Sequence, residues 1–225
     1  MATKLVLLGD SGVGKTLFLH AATTANPLSV TGQSIFKHTQ FTIGVDFCTT
    51  TRPLPSGEQI TLQVWDTAGQ ERFHAVSTCY MRGASAILLF YAVNSRPSFD
   101  SVHERWAGKL ADMAAGGRRT PPLFLVGTKC DLPPAAHAVS ETDAEQLRDT
   151  LSAEASLRTS ALLSNGNYAR TTLNIVAAHL VRTGRAFADD DGGAPAKLRR
   201  TPGIVVLDNE PPDAWSSNAQ RRCQC

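Results

Sequence analysis

Apolar residues gather along the chain in short blocks, and between the blocks they recur at helical spacing. Four apolar runs, at 4–8, 60–65, 86–93 and 123–127, read as strands, and Leu5 to Leu8 is continuous enough to be a buried one. Residues 98–115 give the clearest helix, because Phe99, Val102, Trp106, Leu110 and Met113 recur at intervals of three and four and so form one stripe. Such a stripe is a core face and needs no ligand to explain it. Gly116-Gly117 and Pro121-Pro122 end this helix and open the next strand. Glu141 to Leu151 and Thr171 to Phe187 predict two further helices, the second turning Leu173, Val176, Leu180 and Val181 inward. Strands alternating with helices predict an α/β fold, a parallel sheet covered by helices on both faces.

Composition shifts at Ala188. Three aspartates, Gly192-Gly193, Pro195 and Pro202 form a solvated linker with too little apolar area to fold. The expected domain therefore spans 1–187 and the tail 188–225.

The first run, Leu5 to Leu8, leads into Gly9-Asp10-Ser11-Gly12-Val13-Gly14-Lys15-Thr16, which fits G-x-x-x-x-G-K-[ST]. Leu17 to Ala22 then read as the opening of a helix. A strand, a glycine-rich loop and a helix N-terminus make an anion trap, in which backbone N–H groups converge on phosphates and the unpaired helix-end donors favour negative charge. Glycines let the backbone approach closely. Lys15 is placed to reach β- and γ-phosphates, and the Thr16 hydroxyl to ligate Mg²⁺.

Three later blocks follow in order: Trp65-Asp66-Thr67-Ala68-Gly69-Gln70-Glu71-Arg72-Phe73, then Thr128-Lys129-Cys130-Asp131, then Thr159-Ser160-Ala161. With the glycine-rich loop, they resemble the nucleotide-binding motifs of the Ras-like small GTPases. Thr42-Ile43-Gly44-Val45-Asp46-Phe47, the block around Gln70 and Tyr80-Met81-Arg82-Gly83-Ala84 resemble the Rab branch specifically, as does the end, Cys223-Gln224-Cys225.

The resemblance implies a P-loop small GTPase fold, with a mostly parallel six-stranded sheet, and a monomer that binds GTP or GDP with Mg²⁺. It implies that Asp66 holds Mg²⁺ together with Thr16 and Thr42, and that Gly69 offers its N–H to the γ-phosphate. Gln70 orients the attacking water, so Lys15, Thr42 and Gln70 form the catalytic set. Loss of the γ-phosphate would release the segment around Thr42, giving two loop states. The loop residues Asp10, Ser11, Gly12, Val13, Gly14, Lys15 and Thr16 wrap the phosphates, and Thr128, Lys129, Asp131, Ser160 and Ala161 form the guanine side. A carboxylate at Asp131 can accept from N1–H and the 2-amino group of guanine, an arrangement adenine does not offer, so adenine should be rejected strongly. The Lys129 stem would lie along the purine, and the Ala161 N–H would meet the guanine carbonyl oxygen.

Such sites turn over slowly alone, on the order of 10⁻⁴ s⁻¹, and no arginine in cis is evident, so acceleration is expected from a GTPase-activating protein. An exchange factor, a GDP-dissociation inhibitor, an escort protein with its geranylgeranyl transferase, and effectors that read the GTP state complete the implied partners.

At 225 residues and 42% hydrophobic content the chain suits one domain with a tail. A net charge of +2 without a basic stripe argues against nucleic acid. Five cysteines lack framework spacing, Met1-Ala2-Thr3-Lys4 runs straight into the first strand, and the longest apolar stretch, Ala84 to Val93, is too short to cross a bilayer. A reducing, cytosol-facing protein is expected.

Four places depart from the family pattern. The segment from Thr16 to Thr42 is several residues longer than usual, which leaves Phe36 as the candidate to stack on guanine. Thr128 stands where most relatives carry Asn, Leu162 where a lysine is common, and Tyr91-Ala92-Val93 lacks the usual aspartate. Two other readings therefore stay open: a nucleotide-locked interaction module that barely cycles, and a Ras-fold GTPase outside the Rab branch. Cys130 reads as a small buried residue.

Cys223 and Cys225 resemble the double-geranylgeranylation signal of Rabs, two chains anchoring where one is marginal, with Arg221-Arg222 adding attraction to anionic lipid. The expected location is the cytosolic face of an endomembrane, in vesicle traffic. Late-endosomal members share a comparable loop from Trp106 to Pro122 and the Cys-x-Cys end, which makes the late endosome one candidate compartment. Ile204-Val205-Val206-Leu207, an apolar run in a polar tail, is expected to dock on the escort protein, the alternative being packing against the domain's own surface. Replacing these four with serine should lower prenylation in a reconstituted transferase assay, and undiminished prenylation would rule that docking out.

Overall fold

In the computed structural model, which describes residues 3–24, 45–67, 80–115 and 120–186, six strands join in one sheet. They are β1 (Thr3–Gly9), β2 (Val45–Pro53), β3 (Gln59–Thr67), β4 (Ala86–Ala92), β5 (Leu123–Thr128) and β6 (Ala155–Arg158). Their order across the sheet is β2-β3-β1-β4-β5-β6, and every pair is parallel except β2 with β3. The helices are α1 (Lys15–Thr23), α2 (Arg96–Ser101), α3 (Ala107–Ala115), α4 (Glu141–Thr150) and α5 (Asn167–Arg182), with a π-helical turn, Val102–Trp106, between α2 and α3. The α/β sheet expected from the sequence is the one observed.

Strand geometry explains the continuous apolar runs. Successive side chains point to opposite faces, and in β1 and β4 both faces are covered. Leu5, Leu7, Leu88 and Phe90 join Phe18 of α1 and Leu173, Val176 and Leu180 of α5 in one core. Val6, Leu8, Ile87, Leu89 and Tyr91 join Phe99, Val102, Trp106 and Leu110, together with Ala144 and Leu147 of α4, in the other. The stripe predicted at 98–115 is thus a core face at its four described side chains.

Two helix ends differ from expectation. The last helix starts and stops about one turn earlier than Thr171 to Phe187. Gly166 (φ 75°) precedes its first turn and Gly184 (φ 68°) follows its last, so the left-handed residues rather than the apolar spacing set the limits. Ala186 is nonetheless buried, because the chain turns back on the domain and its carbonyl accepts from the Thr3 hydroxyl at 2.5 Å. β2 and β6 escaped the apolar reading: β2 is an edge strand that leaves alternate residues exposed, and β6 has four partly buried residues. At the start of α4, Ser140 and Asp143 bond each other's backbone N–H groups, and the two hydrogen bonds from Ser140 hold the Asp143 carboxyl below its usual range.

Leu88 lies at the middle of the central strands with no exposure. Leu88→Ala should lower stability by about 2–5 kcal/mol, read as a shift in the chemical denaturation midpoint; a loss below about 1 kcal/mol would show that this core relaxes around the void.

Candidate functional site

The parallel strands all end on one edge of the sheet, and the loop after β1 lies at the point where the chain's connections diverge to either side. Gly9 ends β1 against Phe90: a Cβ there would stand 2.4 Å from the Phe90 carbonyl oxygen, so no side chain fits. Gly14 caps α1 with φ 101°, and the first-turn amides that follow have no intrahelical acceptor. Backbone donors and the positive helix end therefore face the same loop.

Lys15 crosses that loop. Its ammonium donates to the carbonyls of Gly9 at 2.7 Å and Asp10 at 2.9 Å, and the residue is 5% exposed. Burial lowers its pKa from 10.5 to about 8, against the opposing pull of the Asp66 and Asp10 carboxylates. An ammonium so desolvated favours any anion placed beside it. Next to it, Thr16 Oγ1 donates to Asp66 Oδ2 at 2.5 Å, and Asp66 is fully buried at the end of β3. A hydroxyl and a carboxylate side by side are hard oxygen donors, the set that suits Mg²⁺ shared with substrate phosphates.

The base side is built from β5, β6 and the turns after them. Thr128 Oγ1 donates to the Val13 carbonyl at 2.5 Å and lies 3.1 Å from that of Tyr91, so β5 is tied directly to the glycine-rich loop. Lys129 adopts φ 63°, which swings the chain outward. Cys130 then tucks in, 5% exposed, its N–H bonded to the Thr159 carbonyl at 3.3 Å. Ser160 Oγ donates to Asp131 Oδ1 at 2.7 Å while accepting from the N–H groups of Leu162 and Leu163. That network fixes the Asp131 carboxylate in one orientation and sets Ala161 beside it. The structure thus brings Asp10 to Thr16, Asp66, Thr128, Lys129, Asp131, Ser160 and Ala161 to one edge. Thr42, Gly69 and Gln70, together with Phe36, the tail and its Cys223 and Cys225, lie outside the described residues.

Three groups were not anticipated from the sequence. The Asp10 carboxylate accepts from Ser101, Arg105 and Trp106. On β2 and β3, Phe47 is 47% exposed and meets Trp65 edge to face at 5.0 Å, with Tyr80 5.5 Å beyond Trp65. Arg52 and Arg170 converge on the last carbonyls of α1, the first on Ala22 and the second on Ala21 and Thr24, where cations offset the negative helix end. Only the aromatic residues carried a readable signal, as large apolar side chains on an alternating strand.

The Ras family model matches residues 4–178. Two relatives align over nearly the whole chain. Ras-related protein Rab11A of Nicotiana tabacum is 36% identical over 98% of this chain and 93% of its own length, and Ras-related protein RABA3 of Arabidopsis thaliana is 34% identical over 99% and 88%. The chain belongs to the Rab branch of the Ras family. Ras-related protein RGP2 of Oryza sativa subsp. japonica is 42% identical over a shorter stretch, 65% of this chain and 61% of that protein. This family consists of GTPases, and its Rab members act on intracellular membranes. The relatives lend no support to the late endosome as compartment. No helix among the described residues is long and apolar enough to cross a membrane.

The Rab-type loop lysine gives a pH dependence that can be measured. An unfolded lysine keeps its proton up to about 10.5, whereas folded Lys15 loses it above about 8, so in that interval the unfolded state binds more protons and stability rises with pH. In nucleotide-free protein, the stability of the wild type relative to Lys15→Met should therefore rise by up to about 3 kcal/mol from pH 8 to 10.5. A flat difference across that range would mean the ammonium is not desolvated.

Proposed function

We propose that this Rab-type protein is a guanine-nucleotide switch, which binds GTP and GDP with Mg²⁺, hydrolyses GTP slowly by itself, and recruits effectors on the cytosolic face of an endomembrane while GTP-loaded. The observation that carries this reading is the Thr128 tie, because it joins a phosphate-binding loop to a guanine-type turn in one rigid unit.

The placement of the described residues supports a part for each of them. The loop amides and Lys15 hold the phosphate chain, and the bound phosphates restore the charge balance that burial denies Lys15. Thr16 and Asp66 are the described residues that would hold Mg²⁺. Bound there, the ion neutralises charge on the phosphate oxygens. Asp131, oriented by Ser160, accepts from the N1–H and 2-amino group of guanine; a carboxylate oxygen has acceptor sites left after one hydrogen bond. Ala161 offers its N–H to the guanine carbonyl oxygen, and Lys129 packs its stem on the ring. Gln70 orients the attacking water, with Thr42 and Gly69 at the γ-phosphate, as in the family.

Arg105 is the arginine that the described residues place against the loop, and its guanidinium is engaged by Asp10. Stimulated hydrolysis accordingly takes its arginine from an activating protein, and release of tightly held GDP takes an exchange factor. The exposed Phe47 with Trp65 and Tyr80 gives effectors an aromatic surface that includes β2, the strand that follows Thr42 in sequence. Geranylgeranyl chains on Cys223 and Cys225, added with the escort protein and removed from the membrane by the GDP-dissociation inhibitor, supply the anchor. A domain end at 187 fits the burial of Ala186, the last described residue.

Displacement of fluorescent GDP from the purified protein by GTP, GDP or ATP, with and without Mg²⁺, tests the reading. GTP and GDP should compete, ATP should not, and removal of Mg²⁺ should weaken both. Displacement by ATP, or weak binding throughout, would overturn guanine recognition and favour an interaction module that does not cycle.

A further inference from the structure

Asp10 opens the phosphate loop and brings a negative charge to a place that must receive phosphates. Its carboxylate is drawn aside. Oδ1 accepts from Ser101 Oγ at 2.9 Å, Trp106 Nε1 at 3.1 Å and Arg105 Nη1 at 3.3 Å. Trp106 is fully buried, and the Lys109 ammonium stands 4.6 Å from its ring centroid, where Asp10 and Arg105 both act on it. One oxygen thus gathers three donors from a single stretch of helix, with a second cation behind them.

An unbroken α-helix could not do this. At 3.6 residues per turn, residues 101 and 106 would lie about 140° apart around the axis. Val102–Trp106 is instead a π-helical turn. Widening the turn by one residue brings position i+5 back over i, so Ser101 and Trp106 face the same acceptor, with Arg105 between them. Val102 and Trp106 both remain in the core, so the register change reaches Asp10 without cost to the packing. Asp10 is coupled further inward, since its main-chain carbonyl takes one of the two hydrogen bonds from Lys15.

We propose that Ser101, Arg105 and Trp106 are positioning residues for the nucleotide. Arg105 offsets the charge of Asp10, and the three donors together hold its carboxylate out of the loop, so that the loop amides and Lys15 meet the phosphates with less competition from that anion. This rests on the nucleotide-binding reading above and assigns to the α2–α3 turn a role in how long nucleotide stays bound.

The test is the release rate of fluorescent GDP from the full chain, chased with excess GDP. Arg105 is exposed enough to be replaced without loss of the fold, its side chain being 44% accessible. Arg105→Ala should speed release roughly three- to tenfold at low salt, and the effect should shrink at about 1 M salt, where the screening length falls to about 3 Å. Trp106→Phe, which keeps the ring and loses the N–H, should act in the same direction. In an Asp10→Asn background, with no charge left to neutralise, Arg105→Ala should change release by less than about twofold. Equal acceleration by Arg105→Ala with Asp10 and with Asp10→Asn would show general support of the fold and overturn the proposal, as would unchanged release. A wild type that fails to retain fluorescent GDP would instead overturn the nucleotide reading itself.

Discussion

One hydroxyl decides how the two halves of the site sit against each other. Thr128 is 4% exposed and lies between the carbonyls of Val13, in the loop after β1, and Tyr91, near the end of β4. Each buried carbonyl left without a donor would cost about 1–3 kcal/mol, so the position demands a side chain that donates. An asparagine amide has two hydrogens and could serve both carbonyls, whereas a threonine hydroxyl has one. Threonine keeps the tie by donating to Val13, the nearer acceptor. Glycine at 127 is part of the same arrangement, since a Cβ there would come within 2.7 Å of the Tyr91 hydroxyl oxygen. Tyr91 fills that space as a neutral phenol, its pKa pushed up to about 12 by burial. The departure at 128 therefore alters the number of hydrogens at the joint and leaves the joint in place.

The charges on the phosphate side favour a further anion between them. Lys15 is buried on two carbonyls, which are partial charges and do not repay the loss of water around a full one. Asp66 offsets some of that loss, yet its carboxylate is also held by Thr16. On the proposed reading a polyphosphate would supply the missing negative charge next to the ammonium, and Mg²⁺ at Thr16 and Asp66 would balance the remainder. By linkage, whatever binds this arrangement stabilises the fold that creates it.

How much of this could be read from the sequence depends on how local the physics is. Runs such as Leu5–Leu8 and Ala86–Val93 announce strands buried on both faces, and the spacing of Gly14, Lys15 and Thr16 announces a loop whose chemistry lies in consecutive residues. Edge strands are harder, because the alternation of β2 follows solvent on one side and β6 is only four residues long. The limits of α5 were missed because two left-handed glycines, and not the apolar period, start and stop it. The contacts of Asp10 with residues 101, 105 and 106 join positions more than 90 apart in sequence, and the register that allows them is a π-turn with no compositional mark. Pairings that exist only after the sheet has closed cannot be seen along the chain.

The same distinction separates the two kinds of charge around the loop. Lys15 and Asp66 are buried where water screens them far less than at the surface, and their fields would act more strongly on a ligand. Arg105 and Asp10 sit nearer the surface, where screening leaves a pair with modest strength. On the proposed reading, a residue in the first group would decide whether phosphate binds, and a residue in the second would adjust how fast it leaves. Selection on the rate of a switch would act most finely on the second group, since a change there moves the rate by small factors while the buried set stays intact. The α2–α3 turn places Arg105, the more exposed member of that pair, away from the strands whose packing fixes the loop.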